Sequence, residues 1–533
     1  MSEARNILQI SELSVTAPNA SVPELDRFSL TLEAGQSVVL LGQAGSGKEA
    51  LIRILGGFAQ KSDVISGTLR FGDGEAQPAA RRARTPIRIA YLPSPMTRPF
   101  APHANVLAQL SRILARKQNA PIASAREELR LALGRLEGAP ELSELDRKPG
   151  AIDPVTLGLG LLACVSAQTP DLVLADHTLA DLGPGAVRML LEMLAAEQKR
   201  LGFALLYATG GLQPAIRLGG RVVVIRDGRV VEEGDAARLM SGHAHSYTRT
   251  LFKALPRLDT DRAPVGRAAR GQPLLQVHGL DFHPPTAGPS REGLTFELRW
   301  GASLALIGEE GSGRRALARA VLGLERAPRG RVVFDAVDLN ILSQTMSARL
   351  RRRVAFITGA DDALDPRMTL WDTVDEPLRA HLSLSRDLVA GHRDAALTRV
   401  GLASHDGKRA VSTLSAFDKR RLQVARAIVG APLLVVADEP LRGLDAFAQT
   451  IMREVLTDFR AHQGPAFLVI TSDFTVAQAL ADDAFVFRDG KVVERGPIVD
   501  ILRAPKDGAT RALIEAVTLP GLSPSLSPSP ASV

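Results

Sequence analysis

Two glycine-rich segments of the chain have the residue types and the spacing of a phosphate-binding loop. In the pattern G-x-x-x-x-G-K-[ST], small residues let backbone N–H groups surround a phosphate, the lysine reaches the β- and γ-phosphate oxygens, and the last hydroxyl binds Mg²⁺. The first segment matches every position except the last, and its residues are Gly42, Gln43, Ala44, Gly45, Ser46, Gly47, Lys48 and Glu49. We predict that this loop, the first loop, binds the phosphates of a nucleotide.

Glu49 stands where the pattern requires a hydroxyl, and two interpretations of it remain open. Its carboxylate could serve the nucleotide site. It could instead only stabilise the positive end of the following helix, with weaker binding of Mg·ATP as the result. The second interpretation is favoured because it needs no bound ligand.

The second segment, the second loop, keeps the glycines of the pattern and a positive charge. Its predicted nucleotide-binding residues are Gly308, Gly311, Ser312, Gly313, Arg314 and Arg315. Arg314 replaces the lysine and Arg315 replaces the hydroxyl. An arginine is not equivalent to a lysine at a close-fitting site, so the sequence leaves nucleotide binding here open.

An apolar run that ends in an aspartate follows each loop at a distance. Residues 172–175 lead to Asp176, and residues 433–437 lead to Asp438. A buried strand that ends in a carboxylate beside a phosphate loop is a common way to hold magnesium. We predict Asp176 and Asp438 as the two magnesium ligands.

The elements that must position these residues occur twice along the 533-residue chain. Residues 28–35 recur as 294–301, and residues 226–232 recur as 488–494. Each copy reads as short alternating strands, a buried strand, the glycine loop and a helix, which is an α/β pattern. The predicted organisation is a first domain at 1–255, an exposed linker at 256–273, a second domain at 274–518 and a disordered Ser/Pro-rich tail at 519–533.

Composition excludes several classes of protein. Hydrophobic residues at 45% and charged residues at 23% exclude a disordered, collagen-like or coiled-coil chain. A single cysteine, Cys164, excludes an intrachain disulfide, a four-cysteine zinc site and a cysteine-ligated iron–sulfur cluster, and fits a reducing cytosol. The chain shows no signal peptide and no run of the ~18 apolar residues that a membrane span needs.

With these motifs the sequence resembles the ATP-binding cassette (ABC) proteins, as two fused cassettes, and within them the ATPase subunits of peptide and oligopeptide importers. Residues 245–256 are similar to the His-Pro-Tyr-Thr-Arg stretch that closes peptide-importer cassettes, and residues 510–513 echo it weakly. Residues 364–369 and 375–379 also match segments of such importers. The resemblance implies two tandem P-loop NTPase domains, each with a mixed β-sheet core and a helical subdomain.

The resemblance also implies roles for residues outside the loops. Glu439 takes the place of the general base that orients water, whereas the first copy has His177 there. The signature serine is kept as Ser415, whereas the first copy has Asp153 and Pro154 in that region. Other family positions are also changed, namely the Q-loop glutamine (Pro93 and Thr358), the switch histidine (Gly210 and Ser472) and the adenine-stacking aromatic (Ala17 and Pro284).

In this family each ATP lies between the phosphate loop of one cassette and the signature of the other. One composite site would join Lys48 and Asp176 to Ser415 and would lack a carboxylate base. The other would join Arg314 and Glu439 to a segment without a signature. Phosphoryl transfer depends on positioning and charge stabilisation, so we expect very slow or absent hydrolysis, and whether the chain is an enzyme stays open.

Two functions follow from the resemblance. The first is the energising subunit of a peptide-type importer that uses ATP and Mg²⁺. It would lie in the cytoplasm on the inner face of a bacterial plasma membrane, bound to permease subunits and through them to an extracytoplasmic substrate-binding protein. The alternative is a non-catalytic pseudo-ATPase scaffold or regulator of the same fold. A nucleic-acid partner is not expected, because the linker lacks the long basic helical insertion of tandem cassettes that act on ribosomes. The sequence names no transported substrate.

Overall fold

The computed structural model describes residues 5–18, 21–80, 85–94, 99–240, 244–255, 257–261, 272–284, 293–339, 352–359, 363–381, 384–402 and 407–518. The chain divides into two compact units. The first unit comprises 1–182, 186–255 and 445–447, and the second comprises 183–185, 256–444 and 448–533.

The first unit contains a four-stranded and a six-stranded sheet. The four-stranded sheet has the order β2-β1-β4-β5, and the six-stranded sheet has the order β10-β9-β3-β8-β7-β6. The strands are β1 (Asn6–Thr16), β2 (Leu25–Glu33), β3 (Ser37–Leu41), β4 (Val64–Phe71), β5 (Gln77–Pro78), β6 (Ile89–Leu92), β7 (Leu172–Asp176), β8 (Ala204–Thr209), β9 (Arg221–Arg226) and β10 (Arg229–Asp235).

Burial along these strands follows their place in the two sheets. In β2 buried and exposed residues alternate, as in a strand with one face on the core. In β3 all five residues are buried, because it lies in the interior of the six-stranded sheet between two parallel neighbours, β8 and β9. The parallel strands of this sheet therefore end at one common edge, where β3 leads into the first loop.

Helices cover the six-stranded sheet, and three of them, α2, α3 and α4, pack together as the helical subdomain of the first unit. The helices are α1 (Lys48–Leu55), α2 (Val106–Gln118), α3 (Ile122–Leu133), α4 (Pro154–Ala167), α5 (Pro184–Leu201), α6 (Leu212–Arg217), α7 (Ala236–Met240) and α8 (Ser246–Lys253). Short 3-10 helices occur at Leu142–Leu145 and Pro149–Ala151.

The second unit repeats this topology, with sheet orders β12-β11-β14-β15 and β16-β17-β18-β13-β19-β20. Its strands are β11 (Pro273–Asp281), β12 (Leu294–Arg299), β13 (Ser303–Gly308), β14 (Arg329–Phe334), β15 (Val337–Asp338), β16 (Val354–Thr358), β17 (Leu434–Asp438), β18 (Ala466–Thr471), β19 (Asp483–Arg488) and β20 (Lys491–Pro497).

The helices of the second unit follow the same order along the chain. They are α9 (Arg314–Val321), α10 (Leu370–His381), α11 (Arg386–Arg399), α12 (Ala416–Ile428), α13 (Ala446–Gln463), α14 (Phe474–Leu480), α15 (Ile498–Arg503) and α16 (Gly508–Val517). Helices α10, α11 and α12 pack together as its helical subdomain. A 3-10 turn at Val411–Thr413 precedes α12. Within the described residues no helix has the length and apolar character to cross a membrane.

The predicted α/β fold, with a mixed sheet and a helical subdomain in each copy, is confirmed. Strands β7 and β17 end at Asp176 and Asp438, as the apolar runs indicate. The apolar patterns of the sequence predict helices over 50–55 and 316–322 after the two loops, and the helices begin two residues earlier, at Lys48 and Arg314. Periodicity misses these residues because they are charged.

The described part of the predicted linker is anchored on the second unit. Leu258 packs against its core, and the backbone N–H of Asp259 donates to the side chain of Gln478 at 3.0 Å. Asp261 forms an ion pair with Arg503 at 3.0 Å. The predicted disordered tail at 519–533 lies outside the described residues, as do 262–271 of the linker.

Candidate functional site

The first loop connects β3 to α1 through glycines that have no room for a side chain. Gly47, the N-cap of α1, has φ 104°, and a Cβ there would lie 2.3 Å from the carbonyl oxygen of Glu24. A Cβ on Gly42 would lie 2.4 Å from the carbonyl oxygen of Ile225. Only glycine fits both positions. At Gly45, by contrast, a Cβ would meet open space, so this part of the loop is free to receive a ligand.

Lys48 is fully buried beneath the first loop. Its Nζ donates to the carbonyl oxygen of Gln43 at 2.6 Å and to Oε1 of Glu49 at 2.7 Å. The ammonium group therefore lies inside the loop, where the pattern requires it, but it is already paired with a carboxylate. Glu49 lies in the first turn of α1, so its carboxylate stands near the positive end of the helix as well as beside Lys48.

Glu49 joins the first loop to the end of β7. Its Oε1 lies 3.3 Å from Nε2 of His177. Burial raises the pKa of Glu49, but the contact with His177 and the charge of Lys48 outweigh it and lower the pKa to about 2. Glu49 is therefore a carboxylate at neutral pH, with Nζ of Lys48 and Nε2 of His177 both close to its Oε1.

Asp176 lies beside this group at the end of β7. Its Oδ2 accepts a long hydrogen bond of 3.5 Å from the hydroxyl of Tyr91. Burial is the largest cause of the raised pKa of Asp176, and the charge of Glu49 raises it further, while His177 and Lys48 oppose the shift. Its Oδ1 is buried without a hydrogen-bond partner, and so is Oγ of Ser46 in the loop.

A cavity of about 770 Å³ opens beside the first loop. Its lining includes Gly45, Gly47, Glu49 and Asp176, together with Tyr91. A site with a loop open at Gly45, a buried lysine, two carboxylates and unpartnered buried oxygens fits a nucleotide phosphate with a divalent cation. Lys48 and the loop N–H groups would hold the phosphates and Asp176 the cation, which would neutralise phosphate charge.

Tyr247 in α8 supports the first loop from the opposite end of the unit's sequence. Its hydroxyl accepts a hydrogen bond from the backbone N–H of Gln43 at 3.3 Å, and the guanidinium of Arg226 lies 5.0 Å from its ring centre. Sequence reasoning did not assign this role to Tyr247. The stretch at 245–256 includes this residue, but the sequence does not show its contact with a loop some two hundred positions earlier.

The second loop has the same backbone but different side-chain contacts. Gly313 has φ 98° and begins α9, as Gly47 begins α1. Arg314 is almost fully buried and donates to the carbonyl oxygens of Gly308 and Glu309 inside the loop. Its second amino group forms an ion pair of 2.8 Å with Oε1 of Glu439.

Arg315 covers the predicted magnesium ligand of the second unit. Its Nε lies 3.0 Å from Oδ1 and 2.9 Å from Oδ2 of Asp438. The same guanidinium also contacts Glu310. Both oxygens of the Asp438 carboxylate are therefore engaged by one cation that belongs to the chain itself.

Glu439, the predicted general base, is held by several donors at once. Arg442 contacts its Oε1 at 2.6 Å, and the backbone N–H and hydroxyl of Ser472 each donate to the same oxygen at 3.0 Å. The hydroxyl of Thr471 lies 3.2 Å from Oε2. Glu439 and its counterpart His177 both have left-handed backbone, with φ 49° and 43°, a strained conformation that occurs at the same place in each unit.

Two charged residues complete the second site and were not predicted from the sequence. The carboxylate of Glu310 accepts a hydrogen bond from the guanidinium of Arg315 and forms an ion pair of 3.2 Å with Arg442. Burial raises the pKa of Glu310, but the charges of Arg315 and Arg442 outweigh it and lower the pKa. The one feature of the sequence that pointed to them is the acidic pair Glu309 and Glu310, which is unusual in a loop that binds phosphates.

The residues at the two signature positions act as helix caps. Oγ of Ser415 accepts from the backbone N–H of Asp418 at 3.0 Å and donates to its carboxylate at 2.9 Å, at the start of α12. In the first unit Asp153 accepts from the backbone N–H groups of Val155 and Thr156 at the start of α4. Among the described residues no group of three or more His, Cys, Asp or Glu side chains could hold a metal ion on its own.

Comparison with known families agrees with this geometry. The ABC transporter family model matches residues 25–154 and 292–442, more than half of the chain and one match in each unit. The chain belongs to the ABC transporter family. The model for the oligopeptide/dipeptide transporter C-terminal region matches residues 231–279 of this ABC protein, the part that contains Tyr247. The predicted family and the peptide-importer resemblance are confirmed.

Similar proteins align with this chain over nearly its whole length. The chain is 29% identical to the peptidoglycan transport ATP-binding protein YejF of Agrobacterium fabrum, with 96% of each chain covered. It is 27% identical to the uncharacterized ABC transporter ATP-binding protein YejF of Escherichia coli K12, with 96% of this chain and 99% of that protein covered. It is 26% identical to the glutathione import ATP-binding protein GsiA of Escherichia coli K12, with 97% and 90% covered.

Proposed function

We propose that this chain is the ATP-binding subunit of a peptide-type ABC importer, in which the first loop holds the nucleotide and hydrolysis is very slow or absent. The observation that carries the importer class is the oligopeptide/dipeptide transporter region at 231–279. Relatives named for the transport of peptidoglycan and glutathione support cargo that contains peptide bonds.

The contacts of the first loop support nucleotide binding there. Lys48 is the one lysine in either loop, and Gly45 leaves the ligand side of the loop open. Binding is weak in this proposal, because a phosphate must compete with Glu49 for the ammonium group of Lys48, 2.7 Å away. The carboxylate and the phosphate are both anions, so they would repel each other when both approach this ammonium group.

The contacts of the two strand-end residues, His177 and Glu439, support the proposal that hydrolysis is slow. A general base must accept a proton from water within hydrogen-bond reach. His177 lacks the negative charge of the family's glutamate and contacts Glu49. Glu439 has the charge, but Arg314, Arg442 and Ser472 already use its Oε1.

We propose permease subunits and, through them, an extracytoplasmic substrate-binding protein as partners, with the chain on the inner face of a bacterial plasma membrane. In the family the permease docks beside the Q-loop, here near 93–110 and 358–375. A cavity of about 660 Å³ in the second unit supports a docking place next to this region. Its lining includes Trp300 and Phe356, whose exposed fractions of 38% and 47% are high for aromatic side chains.

Peptide uptake tests the importer proposal. In the organism that carries the gene, its deletion should abolish uptake of a labelled tripeptide and leave uptake of the free amino acids unchanged. The wild-type gene should restore tripeptide uptake, and Lys48→Ala should restore less than one tenth of it. Unchanged tripeptide uptake after deletion would exclude this function.

Crosslinking tests the permease contact. Phe356→Cys should crosslink to a co-expressed permease, whereas Ser143→Cys, exposed in the other unit, should not. Leu370, within the predicted contact region, is buried and unsuitable for this purpose, and Met96 lies outside the described residues. The native Cys164 gives little background because burial raises its pKa to about 12.

The scaffold alternative is supported by the fully engaged Glu439, since a protein that only assembles a transporter needs no base. It predicts a different uptake result. Lys48→Ala and Glu439→Gln would then restore tripeptide uptake to the wild-type level, with another cassette protein supplying the energy.

A further inference from the structure

The charged residues around the second loop neutralise one another without any ligand. Three guanidinium groups and three carboxylates form a continuous network, called here the arginine–carboxylate cluster. Its members are Glu310, Arg314, Arg315, Asp438, Glu439 and Arg442. A nucleotide site must instead present excess positive charge to a polyanion, so the cluster lacks the charge imbalance that a phosphate needs.

Arg315 occupies the side of Asp438 that a metal ion would need. Its Nε contacts both carboxylate oxygens, at 2.9 and 3.0 Å. Arginine cannot lose its charge in a protein, so it stays a cation at every relevant pH. Mg²⁺ is bound through carboxylate oxygens in a near-octahedral shell, and here those oxygens face a guanidinium instead.

Arg314 closes the loop from within. It reaches the carbonyl oxygens of Gly308 and Glu309 and continues to Glu439, 2.8 Å away. Lys48 in the first loop has one carbonyl and one neighbouring carboxylate as partners, and that carboxylate is 41% exposed. Glu439 is only 7% exposed at its side chain, so Arg314 is tied to a buried acceptor that solvent cannot replace.

We infer that the second loop is filled by its own arginines and does not take Mg·nucleotide, with Arg315 in place of the metal and Arg314 in place of the phosphate-bound lysine. The residues of this site do not fit the cofactor that the family uses. The second unit therefore keeps its loop ordered whether nucleotide is present or not. This inference goes beyond the proposed function and holds whether or not the chain serves an importer.

Restoring the loop pattern tests the inference in the full-length chain. A Lys48→Ala background removes the contribution of the first loop, and the probe is trinitrophenyl-ATP with Mg²⁺. Lys48→Ala alone should show no Mg²⁺-dependent binding. Addition of Arg314→Lys and Arg315→Thr should create Mg²⁺-dependent binding. Its affinity should be at least tenfold higher than that of any residual binding by the Lys48→Ala chain, and EDTA should remove it. Lys48→Ala with Arg319→Thr, an exposed arginine of the same helix, should gain nothing.

Two results would overturn the inference. One is Mg²⁺-dependent binding by the Lys48→Ala chain that Arg314→Ala abolishes. The other is a folded triple variant that gains no binding. Thermal unfolding shows whether the triple variant folds. If it does not, the titration of Lys48→Ala decides alone, because its binding or failure to bind reports the native second loop directly. Peptide uptake is a separate measurement. A failure of the importer proposal can therefore be distinguished from a failure of this inference about the second loop.

Discussion

Nε2 of His177 lies 3.3 Å from Oε1 of Glu49. Glu49 stands where the family has a hydroxyl, and His177 stands where it has the catalytic glutamate. The two departures are therefore in contact, and the carboxylate missing from the strand end is present on the loop. In the second unit Arg315, at the hydroxyl position, likewise contacts Asp438 at the strand end. In both units, therefore, the residue that replaces the loop hydroxyl contacts a residue at the end of the neighbouring strand.

Nucleotide binding should depend on one loop only. Lys48→Ala should reduce binding of a fluorescent ATP analogue to the full-length chain at least tenfold, because it removes the only loop lysine. Arg314→Ala should change the affinity less than twofold. The exposed Lys61→Ala serves as the charge-matched control and should have no effect. Loss of binding with Arg314→Ala but not with Lys48→Ala would reverse the assignment.

Hydrolysis should stay near background and should not respond to Glu439→Gln. Glu439 is bound by arginines, and His177 offers no carboxylate, so neither strand end presents a free base. Phosphate release from ATP is the measurement. A turnover of ~1–10 s⁻¹, as in ordinary enzymes, that Glu439→Gln abolished would contradict slow hydrolysis.

Restoring both family residues of the first unit should raise the turnover. Glu49→Ser combined with His177→Glu returns a hydroxyl to the loop and a base to the strand end, and it releases Lys48 from its ion pair. We expect at least a tenfold increase in phosphate release. Adding Lys48→Ala to the double variant should return the rate to background, which ties the gain to this site.

Glu49 should make the first unit sensitive to acid. Its pKa in the folded chain is about 2, below its ordinary value of 4.5, so its stabilising contribution is complete above about pH 4.5 and is lost as the pH falls towards 2. With a side chain 41% exposed, solvent screening limits the contribution to about 0.5 kcal/mol. Urea unfolding should show Glu49→Gln less stable than wild type at pH 7, with the difference shrinking below pH 4.5. Glu75→Gln, an exposed control, should show no such trend.

Arg420 should stabilise the second unit from a buried position in α12. It donates to the carbonyl oxygens of Pro440 and Gly359 at 2.6 and 2.7 Å and so connects the helical subdomain to the segment after Glu439. Arg420→Ala leaves buried carbonyls unpartnered and should lower the free energy of unfolding by about 2–4 kcal/mol. Lys419→Ala, on the neighbouring partly exposed position, should change it by less than about 0.5 kcal/mol. Equal effects of the two substitutions would refute this role.

The local pattern of the chain was enough to identify the repeat, the two loops and the strand ends at Asp176 and Asp438. These features depend on residues close together in sequence, because hydrophobic alternation and glycine spacing act over one element at a time. Family, fold class and the oligopeptide region follow from the same local motifs.

Only the tertiary structure shows which groups are contacted by the residues that depart from the family pattern. Arg315 meets Asp438 across 123 positions, and Arg314 meets Glu439 across 125. The sequence alone left the second loop open to nucleotide, because it shows which charges are present but not which of them neutralise one another. Ion pairs of this kind need the parallel strands β13 and β17 to end at one edge of a sheet with β18 between them. That arrangement places the loop arginines over the strand-end carboxylates, and distances of about 3 Å determine which groups stay free for a ligand.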